Sequence, residues 1–234
     1  VAQNSLPGLS SSGFSDNIRP SDPPQRTPIE VDNNPQIPGL PDGVKVDRIE
    51  WITNRRVAVF IKSAAMPEQL MQVQILLARD WHSNPGAKFP EVWALDGLRA
   101  RDDENGWTIE TNIEQFYADK NVNVVTPLEG AFSYYTDWVN DDPVLGRQKW
   151  QTFLTQELPG YLQNEFGVRP DNNAIAGLSM GGSAAAALAA KHRNQFKQVS
   201  VFSGYMNPTA PGMYSMIPLA MFDQCKCDPF AMWG

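Results

Sequence analysis

Histidine and cysteine are scarce in this sequence, and basic charge is outnumbered. Two histidines and two cysteines occur in 234 residues, and 19 Lys and Arg stand against 26 Asp and Glu, a net charge of -7. That balance argues against nucleic acid as the main partner, because phosphate binding needs a basic surface. No apolar run approaches the roughly 18 residues that mark a transmembrane helix, so no membrane span is expected. No charged-then-apolar signal segment opens the chain. Val1-Ala2-Gln3-Asn4 is not a natural initiation, and two origins stay open: a mature terminus left by signal cleavage, or an end made by cutting the chain. Cys225 and Cys227 stand one residue apart. Two ligands do not make a structural zinc site, and a bridge between residues i and i+2 is expected to be strained. Pairing with a cysteine outside the chain and two unpaired thiols both stay open. No metal and no cofactor is expected.

The residues that are abundant fit one substantial folded domain behind a tail. Hydrophobic residues make up 42% and charged residues 19%, as in ordinary soluble domains. Residues 1–43 hold eight of the 19 prolines, with Ser, Asn, Asp and Gly between them and no helical or strand period. Such a segment buries too little apolar surface to offset its ordering entropy, so an extended or disordered spacer is expected there. The domain is expected over 44–234.

Val46–Ile52 and Arg56–Ile61 alternate in part around Thr53-Asn54-Arg55 and predict an antiparallel hairpin. Gln72–Leu77 and Val92–Leu95 predict further strands, and Trp81–Gly86 a loop. Helical spacing predicts a helix over Ile109–Lys120 and a long amphipathic one over Arg147–Phe166, with Pro159 an awkward interior residue that kinks it. Val122–Thr126, closed by Pro127, and Gln198–Phe202 complete the strands. Early strands that pair antiparallel and later ones that alternate with helices give a mixed, mostly parallel sheet with helices on both faces.

The stretch Gly177-Leu178-Ser179-Met180-Gly181 reads G-x-S-x-G, between the apolar run Asn173–Ala176 and the helix-forming run Gly182–Ala190. Strand, tight turn and helix make a nucleophile elbow, and the whole then reads as an α/β-hydrolase fold. The helix start offers free N–H groups and a dipole that favours negative charge at Ser179. A plain helix start capped by Ser179 is the bland alternative.

An activated serine needs a base and an acid to orient it, and in this fold they come after the serine along the chain. Here only Asp223, Asp228 and His192 come after it. His192 lies on the same helix as Ser179, about 20 Å along at 1.5 Å per residue, and is expected near the helix end. His82 precedes the nucleophile, against the motif's order. The aspartates read better as loop or cap residues. The chain therefore carries a nucleophile without a convincing base, so a C-terminal remainder or companion segment is expected to complete the site. A scaffold that no longer catalyses is the rival. The loop Leu95–Trp107 leaves a strand at the edge where the elbow emerges and is placed to supply a second oxyanion donor. Asp96 and Arg99 there offer an acceptor and a donor fork suited to sugar hydroxyls.

Leu95–Trp107, Phe132–Trp138, Trp150–Pro159, Gly177–Met180 and Ala231–Gly234 occur together in family order. Over roughly Val44–Gly234 they resemble the antigen-85-type mycolyltransferases of mycolate-containing bacteria. The resemblance implies that Ser179 takes a mycolyl group from trehalose monomycolate, with the Met180 and Leu98 N–H groups forming the oxyanion hole. It implies that Asp96 and Arg99 grip trehalose and that Ser203 faces the sugar; read by itself, Ser203 is a strand-end turn residue. The acyl group would pass to trehalose, to cell-wall arabinan or to a protein hydroxyl, in a secreted protein of the cell envelope. The family's Glu and His would lie beyond Gly234. Asn140–Arg147 lacks the cysteines that many mycobacterial members carry there, Cys225 and Cys227 fall in a region Gly-rich in them, and the Pro-rich tail is unlike their short N-termini, so the likeness leans to a corynebacterial type. Tyr134, Tyr135 and Trp138 are open to two readings, a channel lining or, favoured, core packing. A carboxylesterase and a non-catalytic surface-binding module are the alternative functions.

Overall fold

The structure is a computed structural model and describes residues 23–212 and 214–233. Eight strands form one sheet in the order β1-β2-β3-β4-β6-β5-β7-β8. They are β1 (Glu30–Asp32), β2 (Lys45–Thr53), β3 (Arg56–Lys62), β4 (Leu70–Leu76), β5 (Glu91–Leu95), β6 (Asn123–Pro127), β7 (Asn173–Leu178) and β8 (Phe196–Phe202). The expected hairpin is β2–β3, with Thr53 opposite Arg56. Pairing is antiparallel from β1 through β4 and on to β6, then parallel from β6 to β5, β7 and β8. The sheet is mixed, but its antiparallel share is larger than "mostly parallel" implied. The reasons are an extra strand, β1, in the segment expected to be a tail, and the antiparallel junction of β4 with β6.

That segment needs correction. Glu30, Val31 and Asp32 pair with Trp51, Glu50 and Ile49. Ile37 and Leu40 pack against the main core, and Arg26 reaches Glu104 at 3.4 Å. Prolines keep the stretch from forming helix, yet extended backbone suits a short edge strand. The part of the expected tail over 1–22 lies outside the described residues.

Two faces of the sheet are covered, by different helices. Trp93 and Leu95 of β5, Val125 of β6 and Ile175 of β7 point to a large core shared with Trp150, Phe153, Leu154, Leu162 and Leu188. Val124 and Ala94, which alternate with them, point the other way, to Ile113, Trp107 and Tyr117. On that second side the expected helix Ile109–Lys120 is instead two short ones, α1 (Gly106–Glu110) and α2 (Ile113–Tyr117). Thr111 breaks them apart in extended backbone; its hydroxyl bonds the Trp107 carbonyl and accepts from the Ile113 N–H. Asn105 starts α1 by accepting from the Trp107 N–H at 2.9 Å. Cap-forming Thr and Asn compete with helix continuation.

On the first side the long helix begins at Trp150, not Arg147. It runs as α3 (Trp150–Thr152), a π turn (Phe153–Glu157) and α4 (Leu158–Phe166). The Leu158 N–H donates to the Phe153 carbonyl, five residues back. Pro159 lacks an N–H and its ring crowds the preceding turn, so the wider π turn just before it accommodates the proline inside a continuous helix. Next comes α5 (Met180–Lys191), whose small residues Ala184 and Ala185 are buried on the sheet. Two further helices, α6 (Met216–Gln224) and α7 (Pro229–Trp233), lie beyond β8 in the chain. They form a second cluster in which Ile217, Met221, Cys227 and Met232 pack on Trp138. Cys225 and Cys227 are bridged to each other in this segment, which replaces both open alternatives for these thiols. The α6 end brings the two sulfurs together across a single residue, with Cys227 buried. Among the described residues no helix is long and apolar enough to cross a membrane.

Candidate active site

Parallel β5 and β7 end side by side, with Leu95 opposite Gly177. The loop leaving β5 and the turn leaving β7 therefore meet at one edge, the carboxyl edge where ligands bind in open α/β sheets. After β7, Ser179 adopts φ 55 and ψ -117 before α5 begins at Met180. A side chain at positive φ is strained, at a cost on the order of 1 kcal/mol, and persists because its surroundings leave no alternative. Those surroundings are backbone. A Cβ on Gly177 would stand 1.9 Å from the Gly181 carbonyl oxygen, and one on Gly181 would stand 2.3 Å from that of Asp96. The Ser179 N–H is held by Phe202 of β8 at 2.8 Å. Ser179 is partly exposed, and its side chain makes no capping bond to α5. The hydroxyl is thus presented at the start of a twelve-residue helix with the polarity that favours an anion.

The loop after β5 crosses the start of α5, as the close approach of Gly181 to Asp96 and Leu95 shows. Neither the Leu98 nor the Met180 N–H has a hydrogen-bond partner among the described residues. The two expected oxyanion donors are brought to the same sheet edge as Ser179. Ser203 comes directly after β8 with φ 53, and the Tyr205 N–H beyond it donates to the Ser183 hydroxyl of α5 at 2.7 Å.

Asp96 is engaged by backbone on both oxygens. Oδ1 accepts from the Gly97 N–H at 2.7 Å and Oδ2 from the Gly106 N–H at 2.8 Å. Burial raises its pKa despite those two bonds. A Cβ on Gly106 would meet Oδ1 at 2.6 Å, so this glycine lets the loop fold back on the carboxylate. Arg99 reaches across to α6, where Gln224 Oε1 accepts from its Nε at 3.3 Å and its Nη2 at 3.2 Å.

Both histidines are far from this edge. His82 lies beyond β4, whose Leu76 end pairs with the first residues of β6, at the opposite end of the sheet. It bonds the Asn54 carbonyl and meets the Trp81 ring edge to face. His192 closes α5 at the far end of that helix, about 20 Å from Ser179 at 1.5 Å per residue. Asp228 accepts from the Phe230 N–H and so caps α7, and Asp223 is exposed on α6. Among the described residues no histidine can serve Ser179 as base.

The aromatic segment after β6 has a part that sequence reading missed. Tyr135 and Trp138 are buried, which favours core packing over a channel for these two. The Phe132 N–H, however, donates to the Leu98 carbonyl at 2.9 Å, and the Tyr134 N–H points at Met180 Sδ at 3.3 Å. The available signal was Gly130 and Ser133 placed just past the end of a strand neighbouring β5.

Comparison with known proteins agrees with this architecture. The chain is 42% identical over 154 residues to a protein of Mycobacterium gordonae named diacylglycerol acyltransferase/mycolyltransferase Ag85A, covering 64% of this chain and 45% of that protein. It is 42% identical over 150 residues to the Ag85B protein of Mycobacterium avium, covering 62% and 45%. The chain thus spans a little under half the length of these relatives. Among solved structures, MPT51 (FbpC1) of Mycobacterium tuberculosis superposes with a TM-score of 0.64 at 31% identity, over 74% of this chain and 59% of that one. An S-formylglutathione hydrolase of Agrobacterium tumefaciens shares the fold, with a TM-score of 0.57 at 20% identity over 66% and 60%. The antigen-85 likeness therefore holds over part of the chain. Residues 63–234 match the family described as "Putative esterase", and this chain belongs to that esterase family.

Proposed function

We propose that this chain carries the nucleophile and oxyanion hole of a serine acyltransferase that moves a mycolyl group by ping-pong transfer. The observation that carries the reading is Ser179 held at positive φ just before the first turn of α5, beside a loop whose Leu98 N–H is unpaired among the described residues. Ser179 Oγ attacks the ester carbonyl of trehalose monomycolate. The carbonyl oxygen becomes an anion facing the Leu98 and Met180 N–H groups, which stabilise it because they are fixed before the charge develops. Collapse breaks the bond to the sugar oxygen, which leaves with a proton, and the acyl group stays on Ser179. A second hydroxyl, from trehalose, cell-wall arabinan or a protein, then takes the acyl group and restores the serine. Asp96 and Arg99 hold the sugar, and Ser203 faces it. Asp96 keeps acceptor capacity for this beyond its two backbone bonds. The base that takes the Ser179 proton comes from outside the described residues, in a companion segment. The site works outside the cell, in the mycolate-bearing envelope.

The test uses the full-length protein. A fluorophosphonate is expected to label Ser179 and no other serine, and Ser179→Ala to abolish labelling. Trehalose monomycolate offered with isotopically labelled trehalose is expected to yield labelled mycolates. Release of free acid alone would make the protein a carboxylesterase. No labelling of Ser179 would leave a non-catalytic binding module, a reading favoured by the remoteness of His82 and His192.

A further inference from the structure

We infer that the segment Glu129–Tyr135 is the positioning element of the oxyanion hole, locked by the Ser133 hydroxyl; this rests on the reading of Ser179, Leu98 and Met180 above. The segment comes after β6 and bears an unusual backbone. Glu129 has φ 65, Phe132 φ 60, Tyr134 φ 54 and Tyr135 φ 48, and Gly130 adds φ 82. Side chains rarely adopt these values, and such a run persists only where contacts over-determine it.

The contacts lead to the loop after β5 and to the first residue of α5. The Glu129 N–H donates to the Arg101 carbonyl at 2.7 Å and the Phe132 N–H to the Leu98 carbonyl at 2.9 Å. The Tyr134 N–H is directed at Met180 Sδ at 3.3 Å. The Tyr135 hydroxyl donates to the Glu129 carbonyl at 3.3 Å and lies beside the Asp96 backbone. Leu98 and Met180 are thus each gripped by this one segment, on a group other than the N–H that faces the oxyanion. The Ser133 and Tyr135 N–H groups close the turn on itself, while those of Glu129, Phe132 and Tyr134 go outward to these neighbours.

Ser133 holds the segment in this shape. It is fully buried. Its hydroxyl donates to the Gly130 carbonyl at 2.6 Å and accepts from the Tyr135 N–H at 3.0 Å. The Trp138 indole N–H donates to the Ser133 carbonyl at 2.9 Å, tying the knot to the core. Gly130 is required beneath it, because a Cβ there would lie 2.8 Å from the Tyr135 ring and 3.0 Å from Trp150. Ser133 touches no reacting atom; it acts through Leu98 and Met180.

The experiment compares Ser133→Ala, Ser133→Thr and Ser179→Ala in the full-length protein, with p-nitrophenyl butyrate as donor and a trifluoromethyl ketone as mimic of the tetrahedral adduct. Ser133→Ala is expected to lower kcat about ten- to a hundredfold, the scale of a small misplacement of catalytic groups, with KM within about twofold. Affinity for the ketone should fall by the same factor, and Ser133→Thr, which keeps the hydroxyl, should recover most of both. A Ser133→Ala kcat within twofold of wild type, beside an inactive Ser179→Ala, overturns the positioning role and leaves the nucleophile standing. An active Ser179→Ala overturns the reading of the site, and the positioning role with it. Should Ser133→Ala not fold, Tyr135→Phe carries the test, since it removes only the hydroxyl beside Asp96. A severalfold loss of kcat at constant KM supports the inference, and an unchanged kcat overturns it.

Discussion

Gly181 lies so close to Asp96 that a Cβ on the glycine would stand 2.3 Å from the aspartate's carbonyl oxygen. This approach sets the Ser179 turn and the loop after β5 side by side. Gly181→Ala must push the two apart, and a loss of about 2 kcal/mol of stability is expected, in the range for overpacking a tight site. Labelling of Ser179 by fluorophosphonate should slow further than that loss explains. Gly160 in α4 is the control. A Cβ there meets nothing within 4 Å, so Gly160→Ala should stabilise by about 0.5 kcal/mol, as expected inside a helix. Thermal melts of both variants check the pair.

Arg56 is buried beneath the second face of the sheet, with its guanidinium on Gln74, on Glu104 at 2.7 Å and on Glu114 at 3.0 Å. Glu104 is itself buried. Arg56→Met is expected to cost about 3 kcal/mol, because it takes from buried Glu104 its nearer cation and leaves only the longer contact to Arg26 at 3.4 Å. Adding Glu104→Gln should return part of that. Urea titration of the two single variants and the double variant gives the coupling.

Glu91 opens β5, buried, with one carboxylate oxygen accepting from the Arg169 N–H and the other without a partner among the described residues. Burial pushes its pKa up to about 9. The folded protein therefore holds a proton that the unfolded chain has released above its ordinary value of 4.5. Stability from this group is present below that value and lost as pH rises toward about 9. Glu91→Gln should flatten the decline, so that the variant overtakes wild type in urea melts at pH 9 while the two stay close at pH 5. Equal slopes would contradict the assignment.

The bridge between Cys225 and Cys227 closes a loop of one intervening residue. Loop-closure entropy grows with length, so a loop this short contributes only about 1–2 kcal/mol. Replacing both cysteines by alanine should lower Tm by about 5 °C or less. A larger fall would mean that the α6–α7 segment depends on the bridge rather than on Trp138, Ile217 and Met221.

Much of the α/β half was legible residue by residue. Val124 and Val125, or Trp93 and Ala94, alternate between two cores because strand geometry alternates side chains, and apolar content alone revealed those strands. The Gly177–Gly181 spacing announced the elbow because few other residues survive contacts of 1.9 and 2.3 Å with backbone. Local competitors misled. Thr111 and Asn112 split a helix that spacing joined, and Pro159 was absorbed by a π turn. Proline density also hid β1, which exists because β2 offers it a partner.

By itself, then, the sequence determined the tight turn at Ser179, the strands that flank it and the remoteness of His192, since those depend on neighbours along the chain and on helical rise. Only the tertiary structure decided that Asp96 is held by Gly97 and Gly106, that Arg99 meets Gln224, and that Phe132 and Tyr134 grip Leu98 and Met180. The contacts of Arg99, Phe132 and Tyr134 join residues tens of positions apart or more, and most of the bonds named use backbone N–H or carbonyl groups, which no sequence pattern marks.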